Sequence, residues 1–250
     1  MKKKCRLQLF NEECVSGIRR HFDDNSIDLI VTSPPYKELD GFSWTLIKNI
    51  ALQCYRVLKN NSLCFVNFGH LAGYKSRPFQ VAMEFKDAGF EWIDTITWVK
   101  NHYTPVQGNK RVNNLTEFIF KLAKGNNYSL DRLAIGVPYT DKSNIGRYND
   151  KDLRCPGNAW FIPYKTIQRK EQKYHKDRFP VELPRRCIKL SGIPKGSFVL
   201  DPFGGSMTTG VACYELGMKF IGFEIDKNTF MIGKNRISKL GGNICKLQIG

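Results

Sequence analysis

Short apolar runs alternate along the chain with segments whose apolar residues recur every three or four positions. The short runs predict strands at 27–31, 63–68, 91–99, 115–122, 197–201 and 219–223, and the helical spacing predicts helices at 44–59, 79–89, 181–190, 208–216 and 227–240. Strands that alternate with helices are typical of a mostly parallel sheet covered by helices on both faces. The pattern therefore predicts a doubly wound α/β fold.

One stretch interrupts this alternation. Between about 125 and 165 the periodicity fades, and glycine, asparagine and proline accumulate, as in Gly125-Asn126-Asn127 and Pro156-Gly157. A chain of 250 residues has the length of one large domain. We therefore predict a single domain built from residues 1–125 and 166–250, with a small insert at 126–165.

Charge narrows the class of partner. The chain carries 39 lysines and arginines against 23 acidic residues, a net charge of +16, and residues 100–178 hold 16 of the basic but only 7 of the acidic side chains. A basic surface attracts polyanions and releases their counterions on binding, so nucleic acid is the expected partner. A generally basic proteome would be the alternative explanation of the charge.

Composition excludes membrane spans and gives no metal-site pattern. The longest apolar runs have five or six residues, whereas a membrane-spanning helix needs about 20, and no apolar segment follows the N-terminal lysines as it would in a secretory signal. The eight cysteines include no C-x-x-C pair, and the four histidines do not cluster near them. We therefore expect a cytoplasmic protein with reduced thiols, no membrane partner and no metal.

Three predicted strands end in segments that could carry chemistry, and doubly wound sheets bind ligands beyond such ends. The glycine-rich stretch 201–210 would let a ligand approach the backbone, although a tight strand–helix connection also explains it. Glu224, about 20 residues later, is placed to accept hydrogen bonds from a ribose diol, or simply to precede a helix. The third segment is Thr32–Tyr36. No Lys-Ser/Thr follows the glycines, which excludes a Walker phosphate loop.

Taken together, these segments resemble the β-group DNA amino-methyltransferases. That family has a catalytic tetrapeptide of the type (D/N/S)-P-P-(Y/F/W), here Ser33–Tyr36, followed by a cofactor loop of the type D-P-F-x-G-S-G-T-T, here Asp201–Thr209. The resemblance covers nearly the whole chain. It implies a Rossmann-like methyltransferase fold with circularly permuted motif order, S-adenosylmethionine as cofactor, double-stranded DNA as substrate, and a target-recognition role for 126–165.

The resemblance also implies a set of cofactor-binding residues. They are the strand-end aspartate and its loop, the ribose carboxylate and an aromatic residue that precedes the loop: Asp201, Pro202, Phe203, Gly204, Gly205, Ser206, Thr208, Glu224 and Phe179. Met207 stands where the family usually has its last glycine. We expect its side chain either to crowd the methionine part of the cofactor or to change the turn, and to weaken binding without abolishing it.

The tetrapeptide suits methyl transfer to an exocyclic amine, whose lone pair is delocalised into the base. A side-chain oxygen and a rigidly held carbonyl can accept the two amine protons, which frees the lone pair to attack in line. We assign Ser33 and the Pro34 carbonyl as these acceptors, Pro35 as the second residue that fixes the turn, and Tyr36 as a platform that stacks on the base. The base must leave the duplex to reach them.

The first residue of the tetrapeptide bears on the target base. Serine is typical of the cytosine-N4 enzymes and aspartate of the adenine-N6 enzymes, so cytosine N4 is the expected target and adenine N6 the alternative. Carbon-5 methylation needs a Pro-Cys nucleophile, which the chain lacks.

A catalytically inactive DNA-binding regulator and a nicotinamide-dependent oxidoreductase are rivals from other classes, but neither accounts for the tetrapeptide. We expect the modification enzyme of a restriction system, with a cognate endonuclease acting on the same site.

DNA contacts are expected from the basic region of the chain. The candidates are Lys100, Arg147, Arg154, Lys165, Arg169, Lys170 and Lys173. Most charges of this kind contact phosphates and few of them read bases. The sequence therefore predicts a DNA-binding face and no recognition sequence.

Overall fold

The computed structural model describes residues 7–71, 73–103, 105, 108, 110, 112–147, 149–163, 179–241 and 244–249. Its strands are β1 (Leu7–Asn11), β2 (Ile27–Thr32), β3 (Leu58–Gly69), β4 (Glu91–Val99), β5 (Thr116–Lys124), β6 (Ala159–Phe161), β7 (Phe198–Asp201), β8 (Lys219–Phe223) and β9 (Ile244–Ile249). They form one sheet in the order β6-β4-β5-β3-β2-β7-β8-β1-β9. β5 runs antiparallel to β3 and β4, and the other strand pairs are parallel.

Helices cover both faces of this sheet. They are α1 (Cys14–His21), α2 (Trp44–Val57), α3 (Arg77–Asp87), α4 (Glu182–Ser191), α5 (Thr208–Leu216) and α6 (Lys227–Lys239). α1–α3 pack on one face and α4–α6 on the other. In β3, Phe65 is buried in the core beneath α4–α6, while its neighbours Cys64 and Val66 are buried beneath α1–α3, as the two-residue period of a strand requires. The doubly wound, mostly parallel α/β fold is therefore confirmed.

The predicted elements are present, with small shifts at their ends. α2 begins at Trp44 because the Ser43 hydroxyl caps it, accepting a hydrogen bond from the Leu46 N–H over 3.1 Å. β3 begins at Leu58, earlier than predicted, and its backbone takes a positive φ of 60° at Asn61. The sequence analysis missed β1, α1, β6 and β9.

In the part of the chain that the structure describes, no helix is long and apolar enough to cross a membrane.

The predicted insert contributes to the main sheet. β6 lies within 126–165 and pairs in parallel with β4, from Thr97–Ala159 to Val99–Phe161. The last part of this segment is therefore continuous with the catalytic domain. The division of the chain at 125 and 165, and the target-recognition role of the segment, stay predictions.

The strand order reverses between β2 and β7. The chain passes from β2 to β3 toward one edge of the sheet and from β7 to β8 toward the other, while β2 and β7 pair through Leu29–Val199 and Ile30–Leu200. Such a reversal leaves a crevice at the carboxyl ends of the two strands, where doubly wound folds bind ligands. The segments Ser33–Tyr36 and Asp201–Thr209 both begin at this crevice.

Candidate active site

A buried carboxylate joins the two strand ends at the crevice. Asp201 closes β7, and Thr32 Oγ1, at the end of β2, donates to its Oδ1 over 2.8 Å. Thr209 Oγ1, in the first turn of α5, donates to Oδ2 over 2.7 Å, and the Phe203 N–H donates to Oδ1 over 3.1 Å. The Asp201 side chain therefore fixes the end of β2, the loop after β7 and the start of α5 relative to one another.

Burial alters the ionisation of this carboxyl group. Asp201 is 1% exposed, and burial raises its pKa to about 6, while the hydrogen bonds from Thr209, Thr32 and the Phe203 N–H act in the opposite direction. A charge removed from water is costly unless donors replace the lost solvent. These three donors are therefore what makes an ionised carboxylate tolerable at this position.

The cofactor loop turns tightly at two glycines. The Gly204 N–H donates to the Phe223 carbonyl over 2.6 Å, and a Cβ on Gly204 would lie 3.1 Å from that oxygen. Gly205 has a φ of 51°, in the left-handed region that glycine adopts without strain. Bare main chain therefore lines this part of the crevice.

Met207 lies beneath the loop. Its side chain is fully buried, and its sulfur or Cγ occupies the space that a Cβ on Gly204, Gly222 or Gly233 would need. The Met207 backbone has a φ of 58°, in the left-handed region. A glycine would adopt this conformation without strain, whereas methionine does so at a cost. The expectation that this side chain crowds the methionine part of the cofactor is therefore wrong, because it points into the core and fills a cavity bordered by three glycines.

Glu224 follows β8, the strand beside β7. Its Oε1 accepts the Asp226 N–H over 2.8 Å, and its own N–H donates to the Phe10 carbonyl over 3.0 Å. Burial raises the pKa of Glu224, the N–H groups of Asp226 and Gly205 oppose this rise, and the charges of Asp226 and Asp201 add to it. The result is a half-buried carboxyl group beside the glycine loop, with oxygens that can accept hydrogen bonds.

These features fit a nucleoside cofactor such as S-adenosylmethionine. The space beside Gly205 is open to a ligand, since a Cβ there would lie 3.9 Å from its nearest neighbour, and Glu224 can accept hydrogen bonds from a ribose diol. Arg236 Nη1 donates to the Ser206 carbonyl over 3.3 Å and to Thr208 Oγ1 over 2.9 Å. The loop is thereby tied to α6, which holds its main chain in place before a ligand binds.

A second polar cluster surrounds the tetrapeptide. Ser33 Oγ donates to the Tyr36 hydroxyl over 3.2 Å, and that hydroxyl lies 3.0 Å from Glu117 Oε2 and 3.2 Å from Asn67 Oδ1. Ser33 Oγ is 3.5 Å from the same Asn67 oxygen. Lys100 Nζ forms an ion pair with Glu117 Oε1. The two hydroxyl groups of the tetrapeptide are thus faced by an amide oxygen from β3 and a carboxylate from β5.

The Tyr36 ring packs against the end of β3. It stacks on Phe68 with the ring centres 4.3 Å apart, and a Cβ on Gly69 would lie 2.8 Å from Tyr36 Cε2. Burial and the nearby Glu117 charge raise the pKa of the phenol well above its usual range, so the hydroxyl stays protonated. Phe68 covers one ring face, and stacking of the other face on a base stays a prediction.

Arg77, at the start of α3, holds the main chain that follows the tetrapeptide. Its Nη1 donates to the Tyr36 carbonyl over 2.9 Å, and its Nη2 pairs with Glu38 Oε1 at 2.7 Å. The guanidinium also lies over the rings of Phe42 and Tyr74, 4.3 and 3.9 Å from their centres. A rigid fork that binds two acceptors fixes direction as well as distance, so Arg77 sets the course of the chain beyond Tyr36.

The structure brings most of the predicted catalytic and cofactor residues together at the carboxyl ends of neighbouring strands. Those at the ends of β2, β7 and β8 are Ser33, Pro34, Pro35, Tyr36, Asp201, Pro202, Phe203, Gly204, Gly205, Ser206, Thr208 and Glu224. Phe179 precedes α4 and packs, half-buried, against the core beneath α4–α6. Among the residues that the structure describes, no group of His, Cys, Asp and Glu is arranged to hold a metal ion.

The predicted DNA-binding residues have different surroundings. Arg147 and Arg154 are exposed. Lys100 instead pairs with Glu117 and lies 4.8 Å from the centre of the Trp98 ring, so it belongs to the polar cluster around the tetrapeptide. The remaining candidates, Lys165, Arg169, Lys170 and Lys173, lie outside the described residues.

Sequence reasoning missed Asn67, Arg77 and Glu117. Asn67 is a polar residue in the otherwise apolar run of β3, and Glu117 is an acidic residue in a predicted strand, so both carried a local signal. Arg77 carried none, since its main-chain partner lies 41 residues earlier.

Comparison with known proteins agrees with this geometry. The profile of the DNA methylase family matches residues 27–235. The DNA adenine methyltransferase YhdJ of Escherichia coli K12 is 29% identical over 234 residues, which cover 85% of this chain and 76% of YhdJ.

Two solved structures have the same fold. The crystal structure of the M1.HpyAVI–SAM complex has a TM-score of 0.62 at 26% identity, covering 92% of this chain and 99% of that one. The cytosine-N4-specific PvuII DNA methyltransferase has a TM-score of 0.74 at 20% identity, covering 97% and 95% of the two chains. The family match runs from β2 into α6 and includes both the tetrapeptide and the cofactor loop. The chain therefore belongs to the DNA methylase family.

Proposed function

We propose that this protein transfers a methyl group from S-adenosylmethionine to the exocyclic N4 of a flipped-out cytosine in duplex DNA. The observation that carries the proposal is the position of the Ser33 hydroxyl. Ser33 heads the tetrapeptide at the end of β2, and β2 pairs with the strand that leads into the cofactor loop. A neutral hydroxyl at this position is typical of cytosine-N4 enzymes.

The cofactor side of the site is the turn after β7 together with Glu224. When bound, S-adenosylmethionine supplies a methyl group activated by a positively charged sulfur. Gly204 makes the tight turn, Gly205 offers its main chain to the cofactor, and the carboxyl group of Glu224 receives the ribose hydroxyls. The bond from Thr32 to Asp201 holds this loop against the strand that carries the catalytic turn.

The catalytic side activates a weak nucleophile. The Ser33 hydroxyl and the Pro34 carbonyl accept hydrogen bonds from the two amine N–H groups, which turns the nitrogen lone pair away from the base and toward the methyl carbon. Pro34 and Pro35 keep this geometry rigid, because neither can rotate about its fixed φ. Tyr36 stacks on the base with the ring face that Phe68 leaves uncovered.

DNA binds through the basic segment that precedes α4. Arg147 and Arg154 are exposed there, and both are placed within the predicted target-recognition segment 126–165. Exposed arginines bind phosphates and, in part, guanine edges. Lys165, Arg169, Lys170 and Lys173 lie outside the described residues and remain DNA-binding candidates by their sequence position alone.

Adenine N6 is the second candidate target. The 29% identity to an adenine methyltransferase of Escherichia coli favours it, and the chemistry of the acceptor pair serves any amine attached to a base ring. A different class of function, an inactive DNA-binding regulator, would use the basic surface and leave the tetrapeptide without a role. The methylated product separates these functions.

We also propose that the protein is the modification partner of a restriction endonuclease and acts on DNA in the cytoplasm. Methylation of one sequence protects it from a nuclease that reads the same sequence. DNA modified by this protein should therefore resist cleavage by one restriction specificity and remain sensitive to others.

Nucleoside mass spectrometry of DNA from cells that express the protein tests the reaction, with the Pro34→Ala variant as the matched control. N4-methylcytosine that depends on the intact protein supports the proposal. N6-methyladenine instead would leave the reaction class in place and overturn the role given to Ser33. DNA binding that is salt-dependent and accompanied by neither base would favour the regulator.

A further inference from the structure

The polar cluster around the tetrapeptide has more hydrogen-bond acceptors than donors. Asn67 Nδ2 donates to the Phe118 carbonyl over 3.0 Å, so its Oδ1 faces the hydroxyls as an acceptor. Glu117 accepts with both oxygens, one toward Lys100 and the other toward Tyr36. The hydroxyl protons of Ser33 and Tyr36 are the two donors that face the Asn67 amide oxygen, the second carboxylate oxygen and the Tyr36 oxygen itself, so one acceptor goes without a proton.

This excess of acceptors fixes the direction of the hydrogen bonds. Tyr36 has one hydroxyl proton, and the charge-assisted bond to Glu117 is stronger than a bond to the neutral Asn67 amide. With that proton directed to Glu117, the Tyr36 oxygen can accept the Ser33 proton, as the 3.2 Å distance allows. Ser33 then offers its lone pairs, and not its proton, to a group that enters the crevice.

We propose that Glu117 is a positioning residue for methyl transfer and the final acceptor of the amine proton, which reaches it through Ser33 and Tyr36. The inference rests on the proposed transfer to an exocyclic amine. The amine nitrogen forms a bond to the methyl carbon, and the electron pair of the broken carbon–sulfur bond stays on sulfur. One amine proton passes to Ser33 Oγ, the Ser33 proton passes to the Tyr36 oxygen, and the Tyr36 proton passes to Glu117 Oε2.

The surroundings of Glu117 suit this task. Its ion pair with Lys100 requires a carboxylate, so the acceptor is ready before the reaction. The Glu117 and Lys100 side chains are 14% and 21% exposed, which gives the accepted proton a route to water. The other titratable groups that face Glu117 are Tyr36, which donates to it, and His70, whose pKa is lowered by burial and by Lys75 and Lys100 while Glu117 opposes that change.

The Glu117→Gln variant tests the inference in the full-length protein. Glutamine keeps an acceptor oxygen but cannot take up a proton, so we expect methyl transfer in a single turnover to slow by about 100-fold or more. The loss should lie in the transfer step itself, whereas the loss of a merely structural contact would also weaken binding. Affinity for S-adenosylmethionine and for DNA, measured by calorimetry and by gel shift, should be unchanged.

The Tyr36→Phe variant interrupts the same path at its middle. Phenylalanine keeps the ring and its contact with Phe68, and it leaves the Lys100–Glu117 ion pair intact. We expect the same loss of rate, and a double variant no slower than either single variant, since groups of one path are not additive. The matched control is Asp94→Asn, which removes a carboxylate from another ion pair to a lysine, Lys121 of β5, and should react at the wild-type rate.

The substrate is unmethylated bacterial genomic DNA, and the product base is identified in the same wild-type reaction. N6-methyladenine with a slow Glu117→Gln variant would refute cytosine N4 as the target and support the relay. N4-methylcytosine with a Glu117→Gln variant that reacts within threefold of the wild-type rate would refute the relay alone. If the folded wild-type protein forms neither base, both inferences are wrong.

Discussion

Thr32 and Asp201 are 169 residues apart in the sequence and share a buried hydrogen bond of 2.8 Å. Thr32 is the last residue of β2, directly before the catalytic turn, and Asp201 is the last residue of β7, directly before the cofactor loop. This bond is therefore a direct link between the two halves of the site. It lies where the strand order reverses, the one place at which these two loops can be neighbours.

Replacing Thr32 by valine should weaken this link without changing the shape of the side chain. In the variant, Asp201 Oδ1 keeps the hydrogen bond from the Phe203 N–H but faces a methyl group where the Thr32 hydroxyl was. We expect the free energy of unfolding in urea to fall by about 1–3 kcal/mol, the cost of a lost bond to a buried charged acceptor. Thr97→Val, on β4, is the control, and an equal loss in both variants would contradict the special role of Thr32.

The ionisation of Asp201 should make stability depend on pH. Its pKa is about 6 in the folded chain against a reference value of 3.8, so the folded state holds the proton more tightly. The contribution of this group to stability is fully present below about pH 4 and is lost as the pH rises through 6. We expect the wild-type protein to lose stability relative to Asp201→Asn over that range, by at most about 3 kcal/mol.

Urea unfolding of both proteins at intervals between pH 4 and 7 measures this difference. Other titrating groups are common to the two chains and cancel in the comparison. A difference that stays constant with pH would show that Asp201 does not titrate in the folded state.

The sequence singled out the two segments of the candidate site that are continuous along the chain. The Ser33–Tyr36 turn and the Asp201–Thr209 loop are continuous segments whose composition reflects their own geometry. Asn67 and Glu117 come from β3 and β5, and they reach Tyr36 because these strands pair next to β2. A pattern along the chain predicts strands but not their order in the sheet, so the partners of Tyr36 could not be foreseen.

The elements missed by sequence have a similar explanation. β6 has three residues, too few for a periodic pattern, and is a strand because β4 pairs with it. Met207 was misjudged for a comparable reason. The cavity that holds its side chain is bordered by Gly222 and Gly233, and these glycines come from β8 and α6, which the loop motif does not include.

Met207→Gly should therefore act on stability more than on cofactor binding. The change empties the cavity beside Gly204, Gly222 and Gly233 but removes the left-handed strain at position 207. We expect a net loss of about 1–3 kcal/mol in the free energy of unfolding, with the dissociation constant of S-adenosylmethionine within threefold of the wild-type value. Met218→Ala, another buried methionine, is the control for loss of packing, and clearly tighter cofactor binding by Met207→Gly would show that the side chain does obstruct the ligand.

Arg77→Lys should slow the reaction while leaving the cofactor site intact. A lysine ammonium cannot bind the Tyr36 carbonyl and the Glu38 carboxylate with the fixed fork of a guanidinium. Because small displacements of a catalytic group are costly, we expect single-turnover methylation to fall by about 10- to 100-fold with unchanged cofactor affinity. Arg56→Lys is the matched control, since Arg56 also bridges a carbonyl and a carboxylate, at Phe22 and Asp24. Equal rates for both variants would remove Arg77 from the positioning of the turn.

The salt dependence of DNA binding should reveal which arginines meet phosphates. Each phosphate contact contributes about 0.9 to the slope of log affinity against log salt concentration. If Arg147 and Arg154, both exposed, each neutralise one phosphate, the double alanine variant should lower that slope by about 2, whatever the DNA sequence. Lys59→Ala is the control, because Lys59 pairs with Asp28 near the amino end of β2, opposite the site. A double variant with both the slope and the affinity of the wild type would place DNA away from these arginines. An unchanged slope with weaker binding to one sequence only would mean that they contact bases and not phosphates.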